Sequence, residues 1–78
     1  MEAAEIIDFL DDEGILELDV HFPDDGDLFA AGLDSMAVMQ LVVAVEEKYG
    51  AILEPADLTK ENLSTPQKLT ELIEEKLK

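Results

Sequence analysis

The 78-residue chain has no cysteine, a single histidine, five basic side chains in all and no long apolar run. Each shortage removes a class of chemistry. Without cysteine there is no disulfide framework, no thiolate metal site and no thiol nucleophile from the polypeptide, so any thiol chemistry has to be imported. Five cations are too few to displace the counterions that binding to a phosphate backbone requires, which argues against a nucleic-acid partner. The longest apolar run, Leu41 to Val45, falls far short of the roughly 18 residues of a membrane-spanning helix. Met1-Glu2-Ala3-Ala4-Glu5 has no basic stretch ahead of an apolar one, so it does not read as a secretory signal. A soluble, cytoplasmic monomer is expected, with residues 1–78 forming one domain around one modest core and no room for a large catalytic cleft.

What the chain has in excess is acid. Twenty Asp and Glu residues give a formal charge of −15, yet 47% of the residues are hydrophobic, more than in a chain that cannot bury its own apolar surface. It should fold and attract basic protein surfaces, although most carboxylates need do no more than keep the surface soluble.

Hydrophobic spacing predicts a first helix over residues 2–13, with Ala3, Ile6, Ile7 and Leu10 on one face and Gly14 just past its end. Leu16, Leu18, Val20 and Phe22 then alternate with polar residues as in a strand. No second run with that alternation exists to pair with it, so an extended segment laid over helices is expected. Pro23-Asp24-Asp25-Gly26 is turn chemistry, and Leu28-Phe29 can anchor the loop to the core. A second helix should start at Ser35 behind the N-cap Asp34 and stop at Gly50 after Tyr49, with Val38, Leu41, Val42, Val45 and Tyr49 as its core stripe. Pro55 and residues 56–62 allow a short helical turn with Leu58 and Leu63 inward. Thr65 as N-cap and Pro66 in the first helical position open a last helix with Leu69, Leu72, Ile73 and Leu77 on one face. The expected class is all-α, a small four-helix bundle of three main helices and one short one, with a long first loop over residues 15–34.

The sharpest local feature is Ala31-Gly32-Leu33-Asp34-Ser35-Met36. A hydroxyl in the first turn of a helix sits beside free backbone N–H groups and the positive end of the helix dipole, where an attached phosphate is stabilised. Asp34 can cap the helix and can also hold a divalent cation or a basic enzyme during modification. Taken alone, Asp-Ser at a helix start is more often ordinary capping.

The stretch from Asp27 to Tyr49, with Gly32-Leu33-Asp34-Ser35-Met36 at its centre and Glu46-Glu47-Lys48-Tyr49 at its end, resembles acyl carrier and peptidyl carrier proteins. Chain length, acidity, long first loop and helix order agree over nearly the whole chain. The tail Glu61-Asn62-Leu63-Ser64-Thr65-Pro66 is similar in style to D-alanyl and other aminoacyl carrier proteins. The resemblance implies that Ser35, supported by Asp34, carries 4′-phosphopantetheine derived from coenzyme A and added by a phosphopantetheinyl transferase. It implies no catalytic residue and no metal. An acyl or aminoacyl group would ride on the arm's thiol as a thioester, loaded by a ligase and handed to downstream acyltransferases or synthases. The carrier supplies position and recognition, not bond chemistry.

On that reading Met36, Met39 and Val43, beside Glu46 and Glu47, form a docking patch for basic enzyme surfaces. The alternative for Met36 and Val43 is packing against the first loop or third helix. Ala37 and Gln40 stand where fatty-acid carriers usually have acidic residues, and the first helix and its connection are unusual, which points to a specialised pathway with dedicated enzymes. The rival function is a small acidic interaction module that binds basic partners unmodified; such a module has no use for the Gly-Leu-Asp-Ser-Met placement.

Other constellations fail. Aligning a calcium loop's glycine to Gly26 puts His21 in the first ligand position, and aligning it to Gly32 puts Phe29 in the third. His21 has no serine or cysteine partner recognisable from spacing. Glu46-Glu47 and Glu74-Glu75 are neighbours in sequence but point about 100° apart on a helix, so neither is an acid/base couple.

Overall fold

Three α-helices and no strand make up the architecture: α1 (Ala3–Asp12), α2 (Ser35–Tyr49) and α3 (Pro66–Lys76), in a computed structural model that describes residues 1–78. In α1 the predicted Ala3, Ile6, Ile7 and Leu10 are buried, and Phe9 joins them. Spacing within α1 does not require Phe9; the partner that buries it is Tyr49 at the far end of α2, whose ring meets it edge-on with centroids 5.3 Å apart. Such pairs stabilise by about 0.5–1.5 kcal/mol beyond their burial. The helix closes at Glu13, with Gly14 next at positive φ.

The first connection follows the expected alternation only as far as Leu18. Ile15, Leu16 and Leu18 are buried, and the Leu18 N–H donates to the Asp11 carboxylate (3.1 Å), pinning the segment to the end of α1. Asp19 then turns the chain: its side chain accepts from the His21 N–H (2.7 Å) and its carbonyl from the Phe22 N–H (2.9 Å). Val20 is therefore 76% exposed, contrary to the alternation, and Phe22 is half-buried. The Phe22 ring covers Gly26 so closely that a Cβ there would lie 2.7 Å from it. Two backbone bonds stitch the loop to the chain around the start of α3: the Gln67 N–H donates to the Asp24 carbonyl (3.0 Å) and the Leu28 N–H to the Ser64 carbonyl (2.8 Å). Leu28 itself is fully buried, the anchor the sequence suggests.

α2 is rotated from its expected setting. Ala37, Leu41 and Val45 are its buried residues, and Val38, Val42 and Tyr49 flank them half-covered. Nearly every position from Met36 to Val45 is apolar, so periodicity singles out no face, and packing selects the i, i+4, i+8 row that begins with the smallest side chain. In α3, Leu69, Leu72 and Ile73 face inward with Thr70, whose hydroxyl donates to the Pro66 carbonyl (2.7 Å) and is thereby satisfied. Leu77 does not join them: the helix ends at Lys76, and Leu77 is 46% exposed.

The fourth helix is reduced to a single 3₁₀ turn, Pro55–Asp57. Side chains compete with a longer helix here. The Asp57 carboxylate accepts from the Glu54 N–H (2.8 Å), Thr59 Oγ1 accepts from the Asn62 N–H (3.1 Å), and the Asn62 amide donates to the Asp57 carbonyl (2.9 Å). Those local bonds offer the backbone an alternative to helix. Leu63 is buried as expected, whereas Leu58 is only half-buried. Lys76 reaches the turn from α3, 2.7 Å from Asp57 and 3.8 Å from Glu54. α1 and α3 pack closely together, and α2 joins them through Leu41 and Val45 in one hydrophobic cluster.

Candidate functional site

The start of α2 is set by the loop before it. Asp27 Oδ1 accepts from the Phe29 and Ala30 N–H groups (2.9 and 3.2 Å), and the Leu33 N–H returns to the Leu28 carbonyl (3.0 Å). Leu28 and Leu33 are buried on either side of this turn. Gly32, at φ +115°, makes the reversal between them, a backbone setting that side chains disfavour. The sequence signal for the turn is an aspartate two and three residues ahead of the amides it binds.

Asp34 is extended and caps α2, its Oδ1 accepting from the Ala37 N–H at 2.9 Å. Ser35 follows as the first helical residue and is exposed. The Ser35 and Met36 amides, within the first turn, have no partner in the protein, and no acidic side chain occupies that turn. An anion attached to Ser35 Oγ would therefore meet unpaired N–H donors and the positive end of a fifteen-residue helix. These residues fit a phosphate ester.

Met36, Met39 and Val43 are 73%, 64% and 54% exposed, so most of each side chain faces solvent. Glu46 and Glu47 are exposed as well. Met39, Val43 and Glu47 share a groove of about 740 Å³ with Glu13 and Ile15 across from them; Met36 and Glu46 lie outside it. A second groove, of about 680 Å³, runs beside Ser35 and Asp34 and is walled by Phe29, Leu58 and Lys60. Spacing could not reveal Leu58 and Lys60 as neighbours of Ser35, because the 3₁₀ turn brings them there. Both grooves are open to solvent.

Tyr49 Oη is buried without a partner in hydrogen-bonding geometry. Burial first, and then the neighbouring Glu5 carboxylate, push its pKa up to about 12. Asp57 is held below the usual carboxylate range chiefly by its hydrogen bond from Lys76, and the same bond raises Lys76. No three His, Cys, Asp or Glu side chains are grouped to hold a metal ion, and no helix is long and apolar enough to cross a membrane.

Residues 8–73 match the model of the phosphopantetheine attachment site family. No curated protein matches the chain. Among solved structures, the chain is similar to one from the complex of an engineered Bradyrhizobium japonicum glycine:carrier protein ligase with a carrier protein from Agrobacterium tumefaciens and AMP. The identity is 27% and the TM-score 0.75, over 94% of this chain and 99% of the other. The corresponding complex with ATP gives 27% and 0.75, over 92% and 95%. The Bradyrhizobium japonicum ligase complexed with a glycylated carrier protein gives 24% and 0.69, over 91% and 97%, a likeness of fold. The matched family consists of carriers and not of catalysts. With its Gly-Leu-Asp-Ser turn opening α2 and the family model covering residues 8–73, the chain belongs to the phosphopantetheine attachment site family, whose domains bear 4′-phosphopantetheine as a covalent prosthetic group.

Proposed function

We propose that Ser35 is the attachment residue and that the protein is an aminoacyl carrier, loaded by an ATP-consuming ligase. One observation carries the attachment reading: Ser35 is exposed at the head of α2 with two unpartnered amides in the same turn. In the reaction with a phosphopantetheinyl transferase, Ser35 Oγ attacks the coenzyme A phosphorus next to the pantetheine. The Oγ–P bond forms, the pyrophosphate P–O bond breaks, the serine proton passes to a base on the transferase, and adenosine 3′,5′-bisphosphate leaves. Asp34 holds the helix start in register and adds the charge that a cation or a basic transferase surface recognises. Once bound, the group supplies a thiol that holds cargo as a thioester.

The packing of the core bears on the size of the cargo. Ile6, Leu10, Leu28, Leu41, Leu69 and Ile73 are all fully buried, and sheltering a long acyl chain among them would require these side chains to separate. The 27% identical carrier seen with a glycine ligase supports a small aminoacyl group. Met36, Met39 and Val43 give the ligase and later acyltransferases an apolar contact, and Glu46 and Glu47 steer their basic surfaces. The protein works in the cytoplasm, where coenzyme A and ATP are at hand. Intact-mass measurement after incubation with coenzyme A and a broad-specificity phosphopantetheinyl transferase should show one added phosphopantetheinyl group, and none on Ser35→Ala. No addition to the native protein, or equal addition to the variant, overturns the assignment.

A further inference from the structure

All five cationic side chains are lysines, and four of them do not line the groove beside Ser35. Lys76 is held by Asp57 and Glu54, and Lys78 by Glu75. Lys48 lies over the Phe9 and Tyr49 rings, 5.8 and 5.9 Å from their centroids. Lys68 is on the exposed first turn of α3. Only Lys60 lines the groove that contains Ser35, and no carboxylate lies within ion-pair distance of it. We propose that the Lys60 ammonium is the counter-ion of the phosphodiester on Ser35, holding the near end of the prosthetic arm over the groove wall formed by Leu58 and Phe29.

Charge makes such a counter-ion consequential. A phosphodiester adds a negative charge to a chain already at −15, and among the residues walling this groove Lys60 is the one cation and Asp34 the one carboxylate. The backbone supports the placement. The chain is turned just before Lys60, where Thr59 Oγ1 accepts from the Asn62 N–H, and the Lys76–Asp57 contact ties the preceding 3₁₀ turn to α3. Lys60 is thus presented from a fixed loop, while its own long side chain stays free to move.

The inference rests on Ser35 being the attachment residue, and the test separates the two. Native protein, Lys60→Gln, Lys60→Glu and the control Lys68→Gln are each prepared in apo and holo forms, with intact mass confirming the modification. Thermal unfolding is then measured at low and at high salt. An exposed ion pair stabilises by about 0.2–1 kcal/mol, which is roughly a 1.4- to 5-fold change in the unfolding equilibrium. At low salt the gain of holo over apo should fall by that factor in Lys60→Gln, fall further in Lys60→Glu, and stay native in Lys68→Gln. At about 1 M salt, where the screening length is about 3 Å, the differences should shrink. In holo protein, nuclear magnetic resonance should show the Lys60 side-chain signals displaced from their apo positions and the Lys68 signals unmoved. A holo-minus-apo difference that is equal in all four proteins, with unmoved Lys60 signals, overturns the counter-ion and leaves the attachment residue standing. Absence of the mass increase overturns the attachment residue itself.

Discussion

Replacing Asp34 separates its capping of α2 from the recognition role proposed for its charge. Its Oδ1 lies 2.9 Å from the Ala37 nitrogen, an ordinary full-strength distance for an N–H donor to oxygen. Losing such a cap costs about 1 kcal/mol, within a range of roughly 0.5–2. A chain of this length is expected to be stable by about 4–12 kcal/mol in total. Asp34→Ala should therefore remain folded and melt about 4–8 °C lower per kcal/mol lost. Asparagine caps nearly as well as aspartate, so Asp34→Asn forfeits only the attraction between charge and helix dipole, about 0.3–1 kcal/mol. Far-UV circular dichroism melts order the three proteins as native, Asn, Ala. Phosphopantetheinyl transfer, followed by intact mass well below the melting range, should order them differently, with Asn slowed nearly as much as Ala because the charge is gone from both. An unchanged melting temperature for Asp34→Ala refutes the cap. Native transfer to Asp34→Asn refutes the recognition role.

Met39→Glu should leave the circular dichroism spectrum and melting temperature near native, since Met39 is 64% exposed, while loading by the partner ligase weakens; collapse of the spectrum would mean that the residue faces inward. Raising salt should slow that loading in the native protein, because exposed charges are screened beyond about 8–10 Å, and salt-independent association rates would dismiss steering by Glu46 and Glu47. Tyr49→Phe keeps the ring against Phe9 and deletes a hydroxyl with no aligned partner. An unsatisfied buried polar group costs about 1–3 kcal/mol, so the variant should unfold at higher denaturant, and a lower midpoint would show that the hydroxyl is bonded after all. The raised Tyr49 pKa also makes the native stability fall between pH 10, where the unfolded tyrosine ionises, and about 12. The Asp57 pKa is lowered and the Lys76 pKa raised by their mutual bond. Their contribution is thus full between the unfolded values, near pH 4 and 10.5. The stability gap between native protein and Lys76→Gln should narrow as pH falls through the depressed Asp57 value and as it rises through the elevated Lys76 value; a gap constant across both limits would remove the pair from the fold's energetics.

Features that depend on a few adjacent residues were legible from the amino-acid order. Asp34 and Thr65 cap helices through their own side chains, and both do so here. Gly32, Leu33, Asp34 and Ser35 form a unit whose chemistry is local, so the candidate site could be found before the fold. The misses share a different origin. α2 is apolar on almost every side between Met36 and Val45, so only the neighbouring elements decide that Ala37 is buried and Val42 only half-covered. Val20 leaves the core because the Asp19 carboxylate captures the His21 amide, a choice between competing local bonds that alternation cannot register. The fourth helix shrinks to Pro55–Asp57 for the same reason, with Asp57, Thr59 and Asn62 taking up the backbone groups. Phe9 and Lys60 owe their places to partners about 40 and 25 residues away, and no window along the chain contains that information.

The bond from the Leu28 amide to the Ser64 carbonyl has a consequence for how the protein is made. Its acceptor is synthesised 36 residues after its donor, and closing a loop of that span is an entropic cost met before any reward from the contact. A nascent chain that has reached only the end of α2 already contains Gly32, Asp34 and Ser35 but lacks the strut that seats Leu28 beneath them. The turn that leads into Ser35 is therefore braced only once the chain around the start of α3 has been made and has come home, so an element at one end of the sequence waits on the other.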